Sequence, residues 1–130
     1  MNLEILLPYA GALALLLLVL SIRVVWLRRK HQVGLGDGGV RELGRAIRAH
    51  ANFCEYVPIA LILLVLLALA GDPDRWLINL LAGGLLIGRI LHAYGLSRSA
   101  GTSPARLLGT SLTWLVLLVA GALAIFAPLF

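Results

Sequence analysis

Four apolar stretches dominate the chain, Leu3 to Leu27, Phe53 to Ala70, Trp76 to Leu91 and Leu107 to Phe130, with short polar breaks between them. A helix needs about 20 predominantly apolar residues to cross the hydrocarbon core of a bilayer. The outer two stretches reach that length unaided. The second and third reach it only if the polar residues beside them also lie in the membrane. The breaks carry helix-end chemistry: Pro8 suits a first helical turn, where no N–H is needed, and Arg28, Arg29 and Lys30 close the same helix. In GDPDR, Gly71 suits a helix C-terminus, Asp72 an N-cap, Pro73 the first helical position and Asp74 the positive end of the helix dipole. Ser103 and Pro104 repeat the cap-and-start pair. The pattern predicts helices over about 7–30, 40–70, 73–96 and 104–127, an all-α integral membrane protein with one four-helix domain over 1–130.

The polar residues that accompany the second stretch are not scattered. At about 100° per residue, Arg41, Arg45, Arg48, Asn52 and Glu55 fall within an arc of about 80°, with Tyr56 just beyond its edge. His50 and Cys54 point the opposite way. A charge near the bilayer centre costs at least ~2.5 kcal/mol, so such residues face the bundle interior, pair with one another or line a solvated cavity. Two readings follow. In one, Arg48 and Glu55 neutralise partners on other helices, with Arg89 and His92 of the third helix on a single face as candidates and Arg45 snorkelling to the interface. In the other, the stripe and the third helix enclose a polar ligand. Arginine recognises carboxylates, Asn and Tyr offer neutral hydrogen bonds, and a carboxylate receives an ammonium group, so that ligand would be zwitterionic and peptide-like.

Composition agrees with a membrane protein: 61% of the 130 residues are apolar and 13% charged, against roughly a quarter charged in soluble domains. The net charge of +5 raises the question of nucleic acid, but topology accounts for it better. Seven Arg or Lys lie between Arg23 and Arg48, and Arg98 and Arg106 flank the second loop on the same side. The opposite side carries only Arg75, beside Asp72 and Asp74. The excess of positive charge then puts loops 28–41 and 97–105 in the cytoplasm and both termini outside, with the basic patch facing anionic headgroups. The first helix lacks a positive leader and a small-residue cleavage site, so it is expected to be retained.

Three smaller features change little at this stage. Gly34, Gly36 and Gly39 in VGLGDGG spell G-x-G-x-x-G, but that fingerprint works between a strand and a helix, and a flexible turn is the expectation here. Gly84 and Gly88, with Gly83 adjacent, form a small-residue face on which another helix packs. Cys54 is the only cysteine, which rules out an intramolecular disulfide and suggests an inert packed thiol. The three histidines and this cysteine have no metal-ligand spacing.

The run Arg48-Ala49-His50-Ala51-Asn52-Phe53-Cys54-Glu55-Tyr56-Val57-Pro58 resembles the R-A-x-x-N-x-x-E-x-x-P signature of the MAPEG family, the membrane-associated proteins of eicosanoid and glutathione metabolism. Arg89-Ile90-Leu91-His92 resembles the motif on that family's third helix, and with VGLGDGG the chain looks most like the small bacterial members. The resemblance implies a homotrimer in the bacterial inner membrane, with glutathione as co-substrate between neighbouring subunits near the cytoplasmic face. It implies that Arg48, Asn52, Glu55 and Tyr56 contact glutathione, with Arg89 and His92 from the third helix. Arg28 or Arg29, and His50 on the reverse face, would reach a neighbour's ligand.

Arg106 is the nearest match to the family's thiol-activating arginine at the start of the fourth helix, with Arg98 as a rival. Leu96 departs from the pattern, because leukotriene-forming members carry a tyrosine there. Tyr94 lies about 140° from Arg89 and does not replace it. The implied chemistry is attack by the glutathione thiolate on a lipophilic electrophile arriving from the bilayer, or reduction of a peroxide. A membrane module that binds glutathione or lipid without turnover is the alternative. A small multidrug transporter, also four-helical, fits less well, since its central carboxylate belongs in the first helix, whereas Glu4 sits at the outer end of that helix and Glu55 in the second.

Overall fold

The computed structural model describes residues 3–70 and 74–126. A single 3-10 turn, Leu3–Ile5, leads into α1 (Leu6–His31), which is followed by α2 (Arg41–Ala70), α3 (Arg75–Arg98) and α4 (Pro104–Phe126). All four helices are long and apolar enough to cross a membrane, and there is no strand among the described residues. The expected bounds hold to within a residue or two. The differences have local causes. The expected cap at Asp72 and start at Pro73 lie outside the described residues. In the described part, Asp74 occupies the N-cap of α3 and its carbonyl accepts from the amides of Leu77 and Ile78. At the other end α3 runs two residues past Leu96, until Ser99 turns extended. The start of α4 is as anticipated, with the Ser103 hydroxyl accepting from the Arg106 amide at 3.2 Å. Its expected last residue, 127, is outside the described part.

The core is a seam of Leu, Ala, Val and Ile that α1, α2 and α3 share with Val116 and Ala120 of α4, and a second, smaller cluster of Leu27, Leu43 and Ala46 joins α1 to α2 near the first loop. The remaining apolar side chains, among them Leu15, Leu18, Val19, Leu115, Leu118 and Ile125, lie exposed on the outer surface. In water these would be a liability. Facing acyl chains they carry no such cost, because lipid tails are as apolar as leucine.

Since lipid removes the hydrophobic drive for helix association, close packing has to do more of the work. The most extensive helix pairing is between α3 and α4, and glycine makes it possible. A Cβ on Gly109 would fall 2.5 Å from the Gly88 carbonyl oxygen and 2.5 Å from the His92 amide, while one on Gly88 would fall 3.0 Å from the Gly109 carbonyl. Gly84 of α3 meets Val116 of α4, so the predicted small-residue face is the α3–α4 contact. Gly95 extends it: a Cβ there would come 2.6 Å from the Arg106 amide. That closeness sets the first turn of α4, and with it Arg106, directly against α3. Polar ties pin the other pairs. Arg23 of α1 donates to the Ser97 hydroxyl of α3, and the Tyr9 hydroxyl donates to Asn79 at 3.0 Å.

The glycine-dense connection between α1 and α2 is more ordered than the flexible turn expected. Gln32 closes α1 in the left-handed region, and Gly36, Gly38 and Gly39 all have positive φ. Arg28 donates to the carbonyls of Val33 and Gly36 at 3.4 and 2.8 Å, and the Asp37 carboxylate accepts from the Gly39 amide at 2.9 Å.

Two glycine substitutions separate packing from helix propensity. Gly109→Ala should destabilise the detergent-solubilised protein by roughly 1–3 kcal/mol, because the added carbon overpacks α3. Gly121→Ala, with nothing within 4 Å of its added Cβ, should be neutral or stabilising by about 0.5–1 kcal/mol. Thermal unfolding of the two variants beside the parent checks both signs.

Candidate functional site

The stripe predicted on α2 exists, and its members divide into two tiers. The deeper tier is a hydrogen-bonded network. Arg89 of α3 is 2% exposed, and its Nη1 donates to the Asn52 side-chain oxygen at 2.7 Å and to the Asn52 carbonyl at 3.4 Å. The same guanidinium lies 5.8 Å from the centre of the Tyr56 ring, within cation–π range. Tyr56 in turn accepts from Trp114 Nε1 of α4 at 3.1 Å. Three helices are thereby tied through one polar cluster. His92 is also buried, one turn further along α3. Trp114 was not anticipated from the sequence, because an indole in an apolar helix reads as another lipid-facing ring.

Arg48 and Glu55 do not seek partners on other helices, as the structural reading of the stripe supposed. They pair with each other along α2, Nη1 to Oε1 at 3.0 Å and Nη2 to Oε2 at 2.8 Å. The seven-residue spacing puts them on one face two turns apart, close enough for a bidentate fork between long side chains. Both stay about half exposed, at 52% and 49%.

The second tier lies toward the α1–α2 loop. A cavity of about 410 Å³ opens there, lined on one side by Arg41, Gly44, Arg45 and Arg48 of α2. Its other wall is Leu96, Ala100 and Arg106, and Asp37 of the glycine loop forms the rim. Arg106 is fixed in place by donating to the Ala100 and Gly101 carbonyls at 3.3 and 3.4 Å. The Arg45 Nε is buried there without a protein partner. A second space of similar size, lined by Gly36, Asp37, Gly44 and Arg48, continues on the far side of Asp37. Four guanidinium groups against one carboxylate leave this cavity strongly positive, the chemistry by which arginine recognises carboxylate and phosphate groups.

The structure thus brings Asn52, Tyr56 and Arg89 into one connected patch, with the Arg48–Glu55 pair beside it on α2 and Arg106 lining the same cavity as Arg48. It leaves the other candidates elsewhere. Arg98, the rival activator, stacks on the exposed Tyr94 ring at 5.2 Å and does not line the cavity. Leu96 is buried and presents only carbon to the cavity. Arg28 holds loop carbonyls and Arg29 is exposed at the end of α1, so neither touches the stripe of its own chain.

His50 faces α1. The Ser21 hydroxyl spends its proton on the Leu17 carbonyl at 2.8 Å, so it accepts from His50 Nε2 at 3.1 Å, and this places the neutral ring's lone pair on Nδ1. Cys54, expected to be packed, is exposed instead, with Sγ 4.0 Å from that nitrogen. It borders an apolar groove of about 270 Å³ between α1 and α2, which has room because Ala10 and Ala14 are small.

Comparison with known proteins agrees with the motif reading. The MAPEG family profile matches residues 6–126. The chain is 40% identical over 111 residues to the inner membrane protein YecN of Escherichia coli K12, covering 85% of this chain and 82% of that protein. It matches YecN of Escherichia coli O6:H1 to the same extent. A family match across nearly all of the described helices, on a four-helix bundle whose second helix carries the family's polar signature along one face, identifies the chain as a member of the MAPEG family.

Proposed function

We propose that the protein is a glutathione-dependent transferase of the bacterial inner membrane, acting where copies of the chain meet. The observation that carries this reading is the convergence of Arg41, Arg45 and Arg48 with Arg106 around one cavity directly above the Asn52–Arg89–Tyr56 network. Glutathione has two carboxylates, one ammonium and a thiol. The α2 arginines suit the carboxylates, and Arg106, which lines the same cavity, is the guanidinium proposed to favour the thiolate.

A thiol with a pKa near 8.5 is only about 3% ionised at neutral pH, so a cation beside the sulfur raises the reactive fraction directly. The thiol proton leaves to water. The thiolate sulfur then forms a bond to an electrophilic carbon while that carbon's bond to its leaving group breaks, and the leaving group departs with the electron pair. A lipophilic electrophile reaches this point from the bilayer. With a peroxide instead, the thiolate would bond to one oxygen as the O–O bond breaks, and the alkoxide would leave with the electron pair and take a proton from water. A second glutathione would then convert the sulfenic acid to the disulfide and water. The exposed Arg48–Glu55 pair supports an assembly in which a second copy covers this face, and a homotrimer is the proposed form. It would bring Arg28 or Arg29 and His50 of one copy toward another's ligand.

A second reading, binding without turnover, is favoured by one feature. The cavity wall at Leu96 lacks the hydrogen-bond donor that would complete the enclosure of a sulfur.

Calorimetry on the purified protein should detect glutathione binding, and Arg48→Ala and Glu55→Gln should each weaken it by ten-fold or more, since breaking one half of a charged pair strands the other. No binding by the parent protein excludes both glutathione readings. Arg106→Ala should retain binding, lose the ultraviolet absorbance of the bound thiolate and slow conjugation of an aromatic electrophile by roughly 10²-fold. Unchanged thiolate absorbance in that variant removes Arg106 from the chemistry, and binding without conjugation or peroxide reduction across a panel of acceptors leaves the binding module. Native mass measurement should give three chains. An alkaline phosphatase fused at the C-terminus should be active, because the seven basic residues between Arg23 and Arg48 favour an orientation with that end outside the cell membrane, and an inactive fusion would reverse it.

A further inference from the structure

The cavity contains one acidic side chain, and it is not the one the stripe suggests. Glu55, the stripe's carboxylate, is gripped by both Nη atoms of Arg48 and does not line the cavity. Asp37 does, and it lines the adjoining space as well. It is surrounded by Arg41, Arg45, Arg48 and Arg106, yet among the described residues it is ion-paired with none of them. One carboxylate oxygen is used in the loop, accepting from the Gly39 amide at 2.9 Å. The other faces α2.

Several features of the sequence converge on holding that oxygen there. Gly44 sits on the same face of α2 as the arginines, and a Cβ on it would come 3.0 Å from Asp37 Oδ2, so the missing side chain is the notch into which the carboxylate fits. Gly36, Gly38 and Gly39 supply the positive φ angles that bend the loop back over the helix, and Arg28 ties the Gly36 carbonyl from below at 2.8 Å. The VGLGDGG segment, which the proposed chemistry leaves unused, is thereby a device for presenting one negative charge at the mouth of a positive cavity.

We infer that Asp37 is the cation-recognising residue of this site: it accepts the ammonium group of a zwitterionic peptide ligand whose carboxylates lie on the surrounding arginines. The inference rests on the glutathione reading and assigns the role of specificity determinant within it. A charge that all four guanidiniums leave unpaired costs the free protein little, since it is exposed. It gains a partner when an ammonium arrives, and it repels ligands that offer only carboxylates or phosphates. Selectivity for a peptide with a free amino group over a simple dianion follows from this one residue.

The test compares glutathione with N-acetylglutathione, which keeps both carboxylates and the thiol and lacks the ammonium, on the intact detergent-purified protein by calorimetry. The parent should prefer glutathione by on the order of ten-fold, the usual value of a charge-assisted hydrogen bond. Asp37→Asn, whose side-chain oxygen still accepts from the Gly39 amide and so preserves the loop, should abolish the preference by weakening glutathione while the acetylated form binds as well as before or more tightly. Gly44→Ala, which leaves the net charge unchanged but closes the notch, should reduce the preference too. Glu55→Gln should weaken both ligands and leave their ratio intact. Equal loss of both ligands in Asp37→Asn reduces Asp37 to a loop-forming residue and overturns the inference, as does loss of the preference in Glu55→Gln instead. A parent that binds glutathione without preferring it over the acetylated form overturns the inference alone. A parent that binds neither ligand overturns the glutathione reading and this inference with it.

Discussion

A guanidinium held at 2% exposure inside four apolar helices has to be answered by the protein, because there is no water to do it. Arg89 is that group, and the answer is the Asn52 side chain at 2.7 Å with the Tyr56 ring beside it, which leaves its Nε without a hydrogen-bond partner among the described residues. Much of the site follows from this contact. It fixes the rotation of α2 relative to α3, because only one face of α2 carries a side-chain oxygen at that height. With Asn52 turned toward α3, the 3.6-residue period sends Arg48 and Glu55 to the edge of the bundle and His50 to the opposite side, against α1. Tyr56 then meets Trp114, which brings α4 into the same network.

Close approach between α3 and α4 is the second condition. The Gly88–Gly109 contact draws the helices together in the membrane, and Gly95 repeats the effect beside the turn that starts α4. Without Gly95 the first turn of α4 would stand away from α3, and Arg106 would not share a cavity with Arg45 and Arg48. The arginine proposed to activate a thiol is therefore positioned by a residue that has no side chain.

The sequence showed the four helices clearly, since four long apolar runs separated by cap-and-start breaks admit few alternatives, and showed the face of α2 that matters, since periodicity survives folding. Gly84 and Gly88 were legible as packing residues for the same reason. Other features depend on contacts between segments far apart in the chain. That Arg98 and Arg106 would part company, one stacked on Tyr94 and one in the cavity, turns on the geometry of the 99–103 turn. Cys54 was misread as packed because an apolar neighbourhood in sequence says nothing about which side of the helix has another helix against it. The order of the α1–α2 loop was hidden as well: glycines read as freedom, whereas here they permit the one conformation that Arg28 then ties down.

Depth in the bilayer explains why the polar residues stand where they do. A 30-residue helix spans about 45 Å, roughly 15 Å more than the hydrocarbon core. Were Ala70 at the far boundary, about twenty residues would occupy the core, with Arg48 about 3 Å outside the near boundary and Glu55 about 7–8 Å inside it. The Arg48–Glu55 fork then spans the boundary itself, drawing the buried end of the pair toward a cation whose own head remains hydrated. Asn52 and Arg89 come just beneath, and the arginine-lined cavity just above, in the zone that water reaches. A hydrophilic peptide entering from that side and a lipophilic molecule diffusing in the acyl layer have only this narrow level in common. The proposed reaction needs both reactants at one depth, and the overhang of α2 beyond the bilayer supplies the water-side half of that meeting place.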